Sequence, residues 1–205
     1  MSYEGRKTIV QSVVAFYAAV VGFGLQNLLN PTLPAPVGPQ PDARLLENRW
    51  VCFMILGLLG FRLFTGASIH LVVEHTGARA SREQIGGMVL DIAALLGFSV
   101  LLLQGAYATD VGLFFLWLLI TILTSLAWFP VNQLLSPTPS DKTWRFFWQN
   151  DLTHFLAALV SAAVFYMDPS RKVYHWSLGL LLCLGFTTFV SAKDVYDQIR
   201  VAGDA

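Results

Sequence analysis

Charge is scarce in this chain. Lysine and arginine together number 13 and aspartate and glutamate another 13, which is 13% of 205 residues with a formal net charge of zero. A water-soluble domain carries about a quarter of its residues as charges, so half that share leaves too little polar surface to face water. Equal numbers of the two signs also remove the basic excess that nucleic-acid binding needs. Cysteine is nearly absent: Cys52 and Cys183 are far apart and each falls inside an apolar stretch, which excludes a disulfide framework and any CxxC metal or redox motif. There is no GxSxG elbow, no phosphate-binding glycine loop and no HExxH, so the motifs of soluble hydrolases, NTPases and zincins are missing.

What remains is apolar. Hydrophobic residues make up 55% of the chain, and the mean hydropathy is +0.58. Six stretches are long enough to cross a bilayer at about 20 residues per crossing: 8–29, 49–71, 85–106, 110–134, 151–167 and 173–192. The expected fold is therefore all-α, a polytopic membrane protein with six transmembrane helices in a single domain over 1–205. The first stretch is too long for the apolar region of a cleaved signal peptide and reads as the first membrane helix. An even number of crossings puts both termini on one side. Basic residues outside the stretches favour the terminal side, with Arg6, Lys7, Arg79 and Arg82 among them, so both termini are expected in the cytoplasm. The expected location is a bacterial-type plasma membrane.

The connections carry information of their own. "NPTLPAPVGPQPDAR" holds five of the nine prolines, whose fixed φ and missing N–H make a stiff, extended outer loop. "ATD" and "DPSRK" are so short that they force antiparallel neighbours, the third helix with the fourth and the fifth with the sixth. Pro130 is expected to end or kink the fourth helix. Ahead of the fifth, Trp144, Phe146, Phe147 and Trp148 flank Arg145, a pattern expected of a short helix lying along the membrane surface as an anchor or docking patch.

Polar residues inside the apolar stretches are the candidates for function. Arg62 lies near the middle of the second stretch, where a charge costs about 2.5 to 3.5 kcal/mol on insertion scales. Asp91 on the next helix is its expected partner in an intramembrane charge pair. His70 and Glu74 are four apart, and Asp151 and His154 three apart, so each pair shares a helix face. That set is a candidate proton relay or metal site. Gln11 and Ser12 at one end of the first helix and Gln26 and Asn27 at the other are candidate pore-lining groups. Between them Ala15, Ala18, Ala19 and Gly22 form a small-residue face suited to close helix packing.

Arg6 opening the first helix, a proline just after it, a histidine late in the second and six helices in about 200 residues resemble the small prokaryotic relatives of the lysosomal potassium channel. The resemblance implies a pore lined by the first helix. That family's arginine, three residues, Phe-Ser-Asp pattern is replaced here by Arg6 followed by Val10, Gln11 and Ser12. Ser68, His70 and Asp91 are similar to the early residues of seven-helix zinc membrane hydrolases, which implies metal-dependent hydrolysis at the inner leaflet. The late HxxxH of that family is absent, and His175 stands alone.

The leading expectation is an oligomeric channel or passive conduit for ions or small solutes, gated by pH or by a partner. At 22.7 kDa one subunit has little interior volume, so the pore is expected on a symmetry axis between copies. The alternatives are a membrane-embedded hydrolase with a metal at His70, Glu74, Asp91, Asp151 and His154, and an accessory subunit of a larger membrane complex. Expected partners are the lipid bilayer, further copies of the chain and a second protein, with no nucleic acid. No cofactor is expected; a metal ion, or haem held by His70 and His154, is the lesser alternative.

Overall fold

A computed structural model describes residues 3–29, 41–75, 85–135 and 141–167, with positions 179, 181, 182, 185 and 186. Within these, the side chains of 65–75 and 141–147, among others, fall outside the described set. The described residues form five helices: α1 Tyr3–Leu29, α2 Ala43–His75, α3 Ile85–Ala106, α4 Val111–Leu135 and α5 Asp141–Met167. Three contain windows long and apolar enough to cross a membrane, Lys7–Leu29, Gly87–Ala106 and Val111–Trp128. The expected sixth helix, 173–192, lies largely outside the described residues, although the five positions described there are helical.

One expectation is corrected and another narrowed. α5 runs unbroken for 27 residues from Asp141, so the segment 144–148 forms its first turns and not a separate surface helix. No glycine or proline occurs between 141 and 167; the polar residues at 141–151 end the apolar run without ending the helix. Likewise α4 continues through Pro130 to Leu135. Pro130 therefore does not end the helix; it removes the bond that an N–H there would make to the Leu126 carbonyl, and its ring crowds that carbonyl, the source of a kink.

The starts of α2 and α4 are capped. The Leu45 N–H donates to Asp42 Oδ1 at 2.7 Å, and the Leu113 N–H donates to Asp110 Oδ1 at 2.9 Å. Each aspartate satisfies a donor that the first helical turn would otherwise leave without an acceptor. The same end of the bundle is stitched across elements: the Asp42 N–H donates to the Thr109 carbonyl at 2.7 Å, and Asn27 Nδ2 to the Ala106 carbonyl at 3.3 Å. The ends of α1 and α2 are thereby fixed to the turn between α3 and α4. Asp110→Ala is expected to cost about 1 kcal/mol, readable as a lowered thermal transition.

Packing is centred on α3, which lies against α1, α2 and α4, while α5 lies against α4. Tyr17, Leu95, Phe98, Phe114, Phe115 and Leu118 are fully buried among these helices. α1 approaches its neighbours closely at one face. Tyr17 Oη donates to the Gly60 carbonyl at 2.9 Å. A Cβ at Gly24 would stand 3.1 Å from Leu103 Cδ1 and 3.2 Å from Ala106 Cβ, whereas at Gly22 nothing lies within 4 Å. Gly24→Ala is therefore expected to destabilise by about 1 to 3 kcal/mol, and Gly22→Ala to leave the folded subunit unaffected, in parallel thermal unfolding of the two variants.

Candidate functional site

Ile55, Leu59 and Arg62 recur at helical spacing on α2, and with Leu58 they line a cavity shared with Leu118 and Ile122 of α4 and His154 of α5. This face of α2 is turned toward α4 and α5. Arg62 is 7% exposed and Asp151 2%, and Arg62 Nη1 stands 2.5 Å from Asp151 Oδ1. Ser125 of α4 donates to the other carboxylate oxygen, Oδ2, at 2.6 Å. One buried carboxylate thus joins three helices. Its two oxygens are held from opposite elements by a charge and by a hydroxyl.

His154 follows Asp151 by three residues on α5 and is also buried. Its Nδ1 lies 2.6 Å from the Asn150 carbonyl and 3.5 Å from Arg62 Nη1. A carbonyl oxygen only accepts, so Nδ1 carries a hydrogen. The approach of Arg62 is then a contact between two donors rather than a hydrogen bond, and in the neutral ring the basic lone pair sits on Nε2. The adjoining cavity measures about 20 Å³, room for about one water molecule. Leu181 and Gly185 close it from the far side.

The energetics of such a pair are asymmetric. Removing both charges from water consumes most of their mutual attraction, so the intact pair contributes little net stability. Removing one partner leaves the other charge in a low-dielectric interior, which is strongly unfavourable.

The structure brings together residues that the sequence placed in two separate groups. Arg62 was expected opposite Asp91, and Asp151 with His154 in a relay or metal set; the structure joins the two groups through an ion pair between Arg62 and Asp151. Asp91 is buried on α3 at 1% exposure. Helix length makes the Asp151 contact possible: because α5 starts at Asp141, Asp151 lies about 15 Å along it at 1.5 Å per residue, at the depth of Arg62 and not at a helix end. Among the described residues no group of three or more His, Cys, Asp or Glu side chains is arranged to hold a metal ion. The side chains of Ser68, His70, Glu74, Trp144, Phe146 and Phe147 lie outside the described residues, as does His175; Trp148 is exposed.

Ser125 is the residue that sequence reasoning missed. Its neighbours Thr121 and Thr124 return their hydroxyls to the Trp117 and Ile120 carbonyls, each at 2.7 Å, the usual fate of such residues in an apolar helix. Leu118, Ile122 and Ser125 share one face at spacings of four and three, and that face is buried. The spacing was the available signal.

The candidate pore-lining residues divide. Asn27 is half-buried and bonded to the end of α3, whereas Gln11, Ser12 and Gln26 are exposed. Ala15, Ala18, Ala19 and Gly22, the small-residue face suited to close helix packing, are exposed with them in the subunit. The inward face of α1 is instead Val10, Tyr17, Gly24 and Leu28, at spacings of seven, seven and four. Tyr17 and Leu28 fill more of the interior than alanines would, which decides the rotation of the helix.

Compared with protein-family models, curated proteins and solved structures, the chain finds no significant match. Neither family likeness seen in the sequence gains support from these comparisons.

Proposed function

We propose that the chain is a multi-pass membrane protein of six spans with cytoplasmic termini, and that copies of it assemble through α1 around a conduit for ions or small solutes. The observation that carries this reading is the exposed face of α1, on which Gln11, Ser12 and Gln26 accompany Ala15, Ala18, Ala19 and Gly22. The exposed side of α1 also carries Ile9, Phe16 and Phe23, and the outward faces of α3 and α4 carry large side chains suited to lipid, such as Val89, Val100, Leu113, Leu116 and Leu123; the combination of small and amide-bearing residues sets α1 apart. Glutamine amides facing hydrocarbon are costly, and small residues let helices approach closely. Of the three apolar windows, that of α1 is the least buried within the subunit, at 17% against 39% and 50%.

A ring of α1 helices supplies polar mouths and an apolar middle of alanine, glycine, Phe16 and Phe23, the arrangement a hydrophobic gate uses. The hydrolase alternative has less support, because the cavity at Arg62 and His154 has room for about one water and no substrate. The test is ion flux into vesicles containing the purified protein, together with its stoichiometry by native mass spectrometry. Flux above empty vesicles from an assembled species supports the conduit; a monomer without flux argues against it.

A further inference from the structure

We propose that the Arg62–Asp151 pair is a latch that holds α5 against α2, and that its release opens the seam between them to water. The consequence for passage rests on the conduit reading; the latch itself rests on geometry alone. Among the described helices α5 packs closely on α4, and no comparable packing joins it to α2. What bridges α2 and α5 is the ion pair, with His154 beside it. Next to the bridge lies a cavity with room for about one water, a foothold for solvent beside the pair once the pair parts.

The two halves of α5 are held differently. Its buried face carries Asp151 and His154 in the first half and Ala158, Ser161 and Ala162 in the second. The second half seats by small residues, which permit close packing with a neighbouring helix. The first half depends on the carboxylate, shared between Arg62 and Ser125. Releasing that carboxylate frees the first half while the second stays seated, and Arg62 with His154 remains to face the opened seam. A buried pair of this type has two discrete arrangements, made and broken, as a switching element requires.

The experiment reads water access directly. Ile122→Cys, which lines the cavity, is placed in a background with Cys52 and Cys183 replaced by alanine, and its modification by a charged thiol reagent is timed in nanodiscs. Asp151→Asn is expected to raise the rate about tenfold, within the ~5- to 150-fold range of ordinary coupling between sites. The exchanged pair, Arg62→Asp with Asp151→Arg, is expected to bring it back down. Should Asp151→Asn not fold, Ser125→Ala keeps the ion pair but loses one carboxylate bond and is expected to give a smaller increase. Unchanged labelling in a folded Asp151→Asn or Ser125→Ala protein overturns the latch. Flux is measured on the same samples. Altered labelling with no flux in any sample overturns the conduit and leaves the latch standing, whereas flux with unchanged labelling does the reverse.

Discussion

Asp151→Asn, with Arg62 left in place, is expected to destabilise the protein by about 3 to 5 kcal/mol. The carboxylate is 2% exposed and the guanidinium 7%, so neither is rehydrated when the other is neutralised without unfolding or local opening. The asparagine also presents an amide where Ser125 and Arg62 both donate, and one of those donors loses its acceptor. By the same reasoning the paired replacement Arg62→Leu with Asp151→Leu is expected to cost far less than the sum of the single changes, because it removes both charges together. The double-mutant cycle by chemical unfolding in detergent measures the difference. Additive losses would show that the two residues act independently and that the contact is incidental.

Substituting Gly22 with leucine is expected to weaken assembly strongly while leaving the subunit folded. Nothing lies within 4 Å of a Cβ at Gly22, so the isolated subunit accommodates the side chain freely. A second helix approaching this face does not, because close contact between membrane helices relies on small residues at the crossing. The expected weakening of association is about tenfold or more, each tenfold step being 1.4 kcal/mol. Native mass spectrometry across a range of lipid dilutions reads it, and Leu116→Ala on the outward face of α4 serves as the comparison that leaves assembly intact. A Gly22→Leu protein that assembles as before would remove α1 from the interface.

The apolar core of the architecture was legible because hydropathy alone marks it: the windows on α1, α3 and α4 correspond to the stretches 8–29, 85–106 and 110–134. The helix ends at polar sequence were not. Residues 43–48 of α2 and 141–150 of α5 are helical but too polar to register in an apolar window, and that misplacement hid the depth of Asp151. The candidate site was legible in part. Arg62, Asp151 and His154 each stood out as polar groups in apolar surroundings, but which helix meets which is set by the rotation of each helix about its axis. A short loop such as that between α3 and α4 fixes that two helices are neighbours and says nothing of α2 against α5. The rotation of α1 was not legible for a related reason: a small-residue face suits packing inside a subunit and between subunits alike, and only the burial of Tyr17 and Leu28 on the opposite side separates the two.

The most direct test of the account is site-directed block of ion flux in vesicles. Ser12→Cys on the exposed face of α1 and Thr153→Cys on the exposed face of α5 are compared before and after reaction with a bulky charged thiol reagent, with Cys52 and Cys183 replaced in both. The account predicts flux in both unmodified proteins, loss of flux after modification at position 12 and none after modification at position 153. Flux that is blind to modification at position 12, or blocked equally at both positions, would contradict a conduit lined by α1.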